Sequence, residues 1–232
     1  MINHEFKPSF FHPYYFIRKG LLKKITEHNH VLKGKMLDFG CGSKPYASLF
    51  KVDEYIGVDF ENEGHSHVNE QIDIFYDGKT IPVPDNFFDS ALSSEVFEHV
   101  FNLEEVLKEL HRVLKPGGNL LITCPFVWKE HEVPNDFARY THYALQHLFA
   151  KNGFEVIVKD KSGSFVEVLF QLQVLFFYDN WYRKVSRIPG LSFLFRLFFI
   201  ALPNFAGFVM SKIFSKNKTM YFNNIVVARK CI

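Results

Sequence analysis

The sequence has little cysteine and no recurring cysteine pattern. Its 232 residues include three cysteines, Cys41, Cys124 and Cys231, which are widely spaced and form no CxxC pair. An odd number of isolated cysteines excludes a disulfide framework and gives no zinc motif. A reducing compartment suits such a chain, so we predict a cytoplasmic protein.

A strong charge of either sign is also lacking. The 27 basic and 25 acidic residues give a formal net charge of +2, far from the basic bias of general nucleic-acid binders. The first 20 residues mix aromatic and charged side chains and lack the apolar core of a signal peptide. We therefore predict no nucleic-acid partner and no export signal.

A hydrophobic run long enough to span a bilayer is missing as well. A spanning helix needs about 20 predominantly apolar residues. The longest uncharged tract in the apolar C-terminal region, 197–211, is shorter and has Pro203 in its middle. The sequence therefore argues against a deeply inserted transmembrane helix.

The chain does contain an alternation of short apolar runs and helical stretches. Four runs have the length and composition of buried strands: 36–39, 55–60, 88–94 and 119–126. Residues 103–114 repeat apolar side chains at helical spacing and end at a Lys-Pro-Gly-Gly stop. Alternating strands and helices predict βαβ units and an α/β fold. Further predicted elements are helices at 14–30 and 143–152 and strands at 154–159 and 221–230.

Residues 162–218 are too long for a hairpin connection and too apolar for a disordered loop. Many of the 28 phenylalanines crowd into this segment, which we predict to be an apolar helical insertion before the last strand. Its surface leaves two interpretations open. It is either an ordinary core or homodimer face, or a peripheral contact through 163–216 with the inner face of a membrane. Aromatic residues beside Lys and Arg suit an anionic membrane surface.

A glycine loop, in the run LDFGCG, follows the first predicted strand. Glycines at this place let the backbone approach a ligand closely. The dinucleotide pattern G-x-G-x-x-G would need a third glycine where Pro45 stands. A second nucleotide-loop pattern, acid-x-G-x-G-x-G, matches at Asp38, Gly40 and Gly42. Its last position holds Lys44, which leaves the path of the loop open.

Asp59 ends the second predicted strand, where a carboxylate can accept hydrogen bonds from both ribose hydroxyls of an adenosine. That role fits NAD and S-adenosylmethionine equally well. The order of the downstream segments decides between them. From YDGKTIP through SEVFEHV to LKPGGNLLITCPF, the chain resembles the small class I S-adenosylmethionine-dependent methyltransferases of the type 11 group. The resemblance covers about 35–159 and the final strand.

This resemblance implies S-adenosylmethionine as cofactor and a doubly wound, Rossmann-like sheet of seven mostly parallel strands. The implied strand order is 3-2-1-4-5-7-6, with the last inserted strand antiparallel. It also implies that Asp38 and Gly40 hold the amino-acid end of the cofactor and that Asp77 and Gly78 hold the adenine. Asp77 also fits a plain turn residue, and Glu95 a plain first-turn helix acid. The full set of predicted cofactor contacts is Asp38, Gly40, Cys41, Gly42, Asp59, Phe60, Asp77, Gly78, Ser94 and Glu95.

Methyl transfer is an in-line displacement that requires alignment and, for some acceptors, removal of a proton. Candidate bases belong beyond the carboxyl end of the strand that ends at Pro125. The loop there holds His131, Asp136 and Arg139, which we predict to be catalytic or to contact the acceptor. A surface histidine and a salt-bridged brace are the alternatives. His99 is expected to pack against a helix or face the cofactor rather than to act as a base.

The sequence thus predicts a methyltransferase that acts on a small-molecule, glycan or lipid-linked acceptor. Two rivals stay open, an NAD-dependent oxidoreductase on a related fold and a non-catalytic S-adenosylmethionine-binding module. No metal site is predicted, because His65 and His67 form an isolated pair. The predicted segments are an amphipathic helical segment at 1–34, the cofactor-binding core at 35–161, the insertion at 162–218 and the last strand of the core at 219–232.

Overall fold

The computed structural model describes residues 8–60, 71–214 and 217–232, so His65 and His67 lie outside the described residues. These residues form two compact units. The sheet unit comprises 24–160 and 224–232, and the helical unit comprises 8–23 and 161–223. Residues 8–23 of the predicted N-terminal segment therefore belong to the same unit as the insertion, whereas 24–34 belong to the sheet unit, and the segment boundaries given above stay predictions.

The sheet has seven strands in the order β3-β2-β1-β4-β5-β7-β6, and this confirms the predicted order. Strands β1 to β5 pair in parallel. Strand β7 runs antiparallel to β6, because Cys231 N–H donates to Gly153 O at one end and Phe222 N–H to Ser162 O at the other. The strands are β1 (Lys35–Phe39), β2 (Glu54–Phe60), β3 (Ile74–Tyr76), β4 (Phe88–Ser94), β5 (Leu114–Pro125), β6 (Phe154–Ser162) and β7 (Asn223–Lys230).

Helix α2, Leu103–Val113, confirms the apolar stripe predicted for this stretch. Side chains three and four residues apart share one helix face, and the face that carries the apolar stripe is buried. The opposite face carries charged residues such as Lys108 and Arg112. The buried stripe consists of Leu103, Val106, Leu107, Leu110 and Val113. The sheet unit also contains α3, His142–Lys151, whose first turn is capped by the Thr141 hydroxyl accepting from Ala144 N–H at 3.1 Å.

No α-helix follows the glycine loop. A single 3₁₀ turn, Ala47–Leu49, is all that separates the loop from β2. Pro45 explains this, because proline disfavours the α conformation for the residue before it. That residue, Lys44, adopts the left-handed conformation with φ at 51°.

The helical unit contains the predicted insertion, which is helical along most of its length. Helix α1, Tyr15–His28, belongs to this unit up to Lys23. Gly207 of α7 has no room for a Cβ, because Phe170 of α4 lies against it, so these two helices pack closely. The helices of the insertion are α4 (Phe165–Phe177), α5 (Arg183–Val185), α6 (Pro189–Arg196) and α7 (Leu202–Phe214), with π turns at Tyr178–Tyr182 and Leu197–Ala201.

Helices α6 and α7 form one continuous helical run, Pro189–Phe214, of 26 residues. By length and composition this run is apolar enough to cross a membrane, so the length argument made from the sequence was wrong. Pro203 does not break the run. In a regular α-helix its ring would clash with the carbonyl group of Phe199, but Phe199 lies in the wider π turn Leu197–Ala201, which accommodates the ring. Only 28% of its most apolar 18-residue window is buried.

Candidate active site

A cavity of about 860 Å³ lies at the carboxyl ends of β1, β2 and β4, entirely within the sheet unit. Its size suits a cofactor with a small second ligand. Its lining residues fall into two groups by their position in the sequence, the glycine wall and the histidine wall, and Glu95 and Val96 lie between these groups in the sequence. The glycine wall is formed by Phe39, Gly40, Gly42, Asp59, Phe60, Tyr76 and Gly78. The histidine wall is formed by His99, Val100, Phe101, Asn102, Glu105, Val106, Glu132, Val133, Pro134, Asn135 and Phe137.

The glycine loop needs both of its glycines, for different reasons. Gly40 has φ at 76°, and a Cβ there would collide with Val96. Gly42 has φ at 44°, and apart from Gly42 itself and its two chain neighbours, no described residue has an atom within 4 Å of the position of its missing Cβ. Its N–H donates to Asp59 Oδ2 at 2.8 Å. The loop is thus held against the end of β2, with open space above Gly42 that a ligand can enter.

Asp59 is fixed from two sides, since its second oxygen accepts from Phe60 N–H at 2.8 Å. Each carboxylate oxygen keeps a further lone pair for a ligand. The Phe60 ring is 48% exposed on the cavity wall and meets the Tyr76 ring edge-on at 6.5 Å. Gly78, with φ at 86°, lies so close to Phe60 that a Cβ would be 3.0 Å from its ring. Together these residues form a carboxylate beside a flat aromatic surface, which fits a nucleoside.

Asp38 lies behind the glycine wall and does not line the cavity. The Tyr55 hydroxyl donates to its carboxylate. Burial raises the pKa of Asp38 to about 7, against the opposing effects of the Tyr55 hydrogen bond and of Lys44. Cys41 is also buried behind the wall, and burial raises the pKa of its thiol to about 12. The thiol is therefore protonated and unreactive at neutral pH.

Lys44 occupies the last position of the loop pattern, where the sequence pattern favours a glycine. It takes the left-handed conformation that a glycine would adopt freely. Its ammonium group pairs with the Asp73 carboxylate and lies 5.1 Å from the Tyr55 ring centroid. Asp73 in turn accepts from Gly57 N–H at 2.6 Å. The lysine thus ties the loop to β2 through contacts that a glycine does not supply.

Asp77 is exposed, and its side chain caps its own turn. One carboxylate oxygen accepts from both Thr80 N–H and Lys79 N–H at 2.8 Å, and these bonds hold the pKa of Asp77 below its usual range. The residue does not line the cavity, although the adjoining Gly78 does. The turn role is present in the structure, and the adenine role stays a prediction.

Glu95 lies between the two walls in a strained backbone conformation, with φ at 57°. Non-glycine residues in this region cost free energy and concentrate at functional sites. Thr123 holds Glu95 in place, since its carbonyl accepts from Glu95 N–H at 2.9 Å and its hydroxyl donates to Glu95 Oε1 at 2.7 Å. Ser94, 2.9 Å from the same hydroxyl, lies behind the wall. Glu95 precedes the short turn Phe97–His99 and is not a helix acid.

Glu98 is completely buried, and neither of its carboxylate oxygens has a hydrogen-bond partner among the described residues. Its Oε1 lies 3.8 Å from His99 Nε2 and 3.9 Å from His131 Nε2. Burial, followed by the charge of nearby Glu95, raises the pKa of Glu98 well above its usual range. A buried, unsatisfied carboxyl is costly for stability, and such groups are typical of functional sites.

His99 lies on the cavity wall, with its Nδ1 2.6 Å from the Asn135 carbonyl oxygen. A carbonyl oxygen only accepts, so Nδ1 donates this hydrogen bond, and Nε2 is the ring nitrogen left to interact with other groups. That Nε2 faces Glu98 and, at 3.7 Å, Glu132. His99 is therefore oriented as a proton acceptor at the cavity, a role for which the sequence had not singled it out.

His131, Asp136 and Arg139 come together behind the histidine wall and do not line the cavity. Arg139 donates to both Asp136 oxygens, at 2.6 and 2.8 Å, and to the Lys129 carbonyl at 3.0 Å. Its side chain lowers the pKa of Asp136 well below the usual range. Asp136 accepts from His131 N–H at 3.0 Å, and burial lowers the pKa of the His131 ring. The salt-bridged brace is thus the arrangement present, and a catalytic role for the three stays a prediction.

The structure brings six of the ten predicted cofactor residues to the cavity wall: Gly40, Gly42, Asp59, Phe60, Gly78 and Glu95. The other four, Asp38, Cys41, Asp77 and Ser94, lie behind or beside it. Sequence reasoning missed Glu98 and Tyr55. The Glu-His pair in SEVFEHV could have signalled Glu98, because a carboxyl inside an apolar stretch next to a strand end is unusual. Nothing in the sequence pairs Tyr55 with Asp38.

Three side chains at the histidine wall could also hold a metal ion. Glu98, His99 and His131 each offer a ligand atom, and these atoms lie within 4.8 Å of one another. Carboxylate and imidazole ligands suit several divalent ions. The sequence predicted no metal site, and the separation between positions 99 and 131 gives no ligand spacing that would have suggested one.

The comparisons with known proteins agree with this geometry. The family model of a methyltransferase domain matches residues 37–122. The mitochondrial ubiquinone biosynthesis O-methyltransferase of Rattus norvegicus is 35% identical over 127 residues, which is 47% of this chain and 36% of the rat protein. The chain thus aligns with about a third of the length of that relative.

Solved structures of low identity share the fold. An S-adenosylmethionine-dependent methyltransferase from Mesorhizobium loti has a TM-score of 0.52 at 12% identity. The match covers 90% of this chain and 100% of that protein. The [4+2]-cyclase SpnF has a TM-score of 0.53 at 20% identity, over 93% and 81% of the two chains. A fold that also occurs in a cyclase does not by itself determine the reaction.

Residues 37–122 thus match a methyltransferase domain, the curated relative is similar over 127 residues, and the strand order is the one implied by the resemblance to the class I S-adenosylmethionine-dependent methyltransferases. S-adenosylmethionine is accordingly its cofactor. The glycine wall fits this molecule, because it offers an open approach above Gly42, a fixed carboxylate at Asp59 and the exposed ring of Phe60.

Proposed function

We propose that the protein transfers the methyl group of S-adenosylmethionine to a hydroxyl oxygen of a small-molecule acceptor. One observation carries this proposal: the His99 ring lies on the cavity wall with its Nδ1 bonded to the Asn135 carbonyl oxygen, which leaves Nε2 as the nitrogen that can accept a proton. The bound cofactor supplies an electrophilic methyl group. A hydroxyl acceptor must lose a proton in the reaction, and an oriented imidazole can receive it.

On the glycine wall, we assign Asp59 to the ribose hydroxyls and Phe60 to the face of the adenine. The backbone of Gly40, Gly42 and Gly78 then approaches the cofactor without side-chain obstruction. The positions of Asp38 and Cys41 behind the wall favour a supporting role, in which they fix the loop from below. Glu95, held by Thr123, faces the space between the walls and is assigned to the amino-acid end of the cofactor.

On the histidine wall, we assign His99 as the base, with the Glu98 carboxyl group as the neighbour of its Nε2. A proton taken up by Nε2 would face Glu98 Oε1 at 3.8 Å. The loop that carries Asn135 is tied to this segment, because Phe137 N–H donates to the Glu98 carbonyl at 2.8 Å. His131, Asp136 and Arg139 are then positioning residues, since Arg139 holds Asp136 and Asp136 holds the His131 backbone.

The apolar lining of the histidine wall, including Val100, Phe101 and Phe137, favours an acceptor with an apolar body and a hydroxyl group. The relative whose name describes an O-methyltransferase of ubiquinone biosynthesis supports oxygen as the methylated atom. Lipid-linked acceptors fit this description better than unmodified glycans. A homodimer and a cytoplasmic setting stay predictions.

The proposal is tested by offering the protein a panel of phenols and alcohols with apolar chains of increasing length. Release of S-adenosylhomocysteine is measured, and mass spectrometry of the product locates the methyl group. We expect acceptor-dependent release, with the methyl group on oxygen. Methylation of nitrogen in an acceptor that also has a hydroxyl would overturn the assignment.

Calorimetry separates the two rivals named above. Binding of S-adenosylmethionine without NAD excludes the oxidoreductase. A protein that binds the cofactor but releases no S-adenosylhomocysteine with any member of the panel would favour the non-catalytic module.

A further inference from the structure

The helical run Pro189–Phe214 carries an exposed apolar stripe along its whole length. Its members recur every three or four residues, so they lie on one face of the helix. A stripe of this length on a water-facing surface is unfavourable unless a partner covers it. The stripe consists of Leu191, Leu194, Phe198, Leu202, Phe205, Val209 and Ile213, each exposed.

The opposite face of the same run is committed to the helical unit. Ile200, Asn204 and Ser211 are buried there, again three or four residues from their neighbours on that face. The Asn204 amide donates to the carbonyl oxygens of Phe10 and His12 at 2.8 and 3.1 Å. The run therefore has one face that packs against protein and one face that does not.

Helix α4 of the same unit adds a second exposed apolar row, formed by Leu169, Leu172 and Phe176. Trp181 follows it, half exposed, with the Lys184 ammonium group 4.7 Å from its ring centroid. A tryptophan next to a cation is typical of residues at the boundary between lipid tails and headgroups.

The charged residues of 180–232, the range that contains the stripe, have one sign. Residues 180–232 contain nine of the 27 Lys and Arg residues and none of the 25 Asp and Glu residues, which leaves 18 basic and 25 acidic residues in 1–179. Arg183, Lys184 and Arg187 precede the run, and Lys212 lies in its last turn. The apolar stripe is thus bordered by cations at both ends.

We propose that this stripe lies flat in the surface of a bilayer that contains anionic lipids, with the flanking cations on the lipid headgroups. The one-sided burial of the helix matches an interfacial helix, whose polar or protein-bound face stays out of the lipid. The excess of positive charge matches the lipid, since cations near an anionic membrane surface are attracted to it and strengthen binding.

A second copy of this chain is a poorer occupant of the stripe. Two copies that met through it would bring together basic segments without any acidic residue to compensate them.

A spanning arrangement would also separate the Asn204 face from the segment that it binds. Docking in the plane of the membrane preserves these hydrogen bonds.

The test is co-sedimentation of the full chain with vesicles of neutral phosphatidylcholine, and with vesicles in which a third of the lipid is phosphatidylglycerol. We expect binding to the anionic vesicles at least about tenfold tighter than to the neutral ones, and weakened by salt. The variant Leu194→Gln/Phe198→Gln/Phe205→Gln should lose this binding. The variant Arg183→Gln/Lys184→Gln/Arg187→Gln should lose about tenfold or more on anionic vesicles only.

Tyr143→Gln, at an exposed aromatic position of the sheet unit, is the matched control and should bind as the unchanged protein does. Circular dichroism and cofactor binding verify that each variant is folded. Absence of sedimentation with both vesicle types would overturn the proposal. So would a dimer in solution that only the apolar variant dissociates, since the second copy would then be the occupant. None of these readouts needs an acceptor, so the result is independent of the proposed reaction.

Discussion

The two walls of the cavity are built by different means. The glycine wall is mainly backbone, set by positive φ angles at Gly40, Gly42 and Gly78 and fastened by Asp59. The histidine wall depends on side chains, above all on His99, whose ring is oriented by a carbonyl from a distant loop. Cofactor binding through the backbone tolerates most side-chain changes, whereas proton transfer is lost when the His99 ring is removed. The two functions should therefore be separable by mutation.

His99→Ala should separate them most clearly. Without the ring, turnover with a hydroxyl acceptor should fall by about 10²- to 10⁴-fold, the usual contribution of a general base. Cofactor affinity should change less than about twofold, since His99 belongs to the other wall. Single-turnover kinetics and calorimetry measure the two quantities.

His131→Ala is the matched control, because this ring is close by but behind the wall. We expect a fall in turnover of less than about tenfold for a positioning residue of this kind. Equal losses in the two histidine variants would show that His99 is not the base.

Asp59→Ala should give the converse result. The substitution removes the acceptor of the Gly42 N–H and the proposed partner of the ribose, so cofactor affinity should fall by about 10- to 100-fold. Turnover at saturating cofactor should fall far less. Asp53→Ala, at an exposed acid of the same unit, should leave the affinity unchanged. Unchanged affinity in the Asp59 variant would refute the assignment of the glycine wall.

Asp38 makes the stability of the glycine wall depend on pH. Its folded pKa of about 7 lies above the usual value of 3.8, so the folded state holds this proton more tightly. The resulting stabilisation is complete below pH 3.8 and is lost as the pH rises to 7, by about 2 kcal/mol between pH 5.5 and 8. Asp38→Asn should lack this part of the pH dependence. Urea unfolding of both proteins without cofactor measures it, and parallel curves would mean that Asp38 is charged in the folded protein.

Lys44 offers the smallest and most local test. Lys44→Gly relieves the left-handed strain but loses the ion pair with exposed Asp73, so its free energy of unfolding should stay within about 0.5 kcal/mol. Lys44→Ala keeps the strain and loses the pair, which should cost about 1 kcal/mol more. Thermal unfolding ranks the two variants. An alanine variant as stable as the glycine variant would contradict this account of the loop.

Most of the sheet unit could be predicted from local sequence patterns. Apolar periodicity gave α2 and the central strands, and the resemblance supplied the order of the strands. The shortest strand, Ile74–Tyr76, was not predicted, because a run of three residues is too short to show a periodicity. The absence of a helix after the glycine loop was not predicted for another reason: Pro45 was interpreted as a departure from a glycine pattern and not as a residue that prevents a helix.

Sequence by itself determined where the backbone had to approach a ligand, because glycines that follow a strand, with an acid at the next strand end, encode a local conformation. It also determined that 162–218 had to be helical and apolar. Only the tertiary structure decided which histidine reaches the cavity. Hydrogen bonds join His99 to Asn135 and Glu98 to Phe137 across more than 30 positions of sequence, and no local pattern specifies such contacts. It also decided which face of the apolar helix stays exposed, because burial depends on what packs against a stripe and not on the stripe alone.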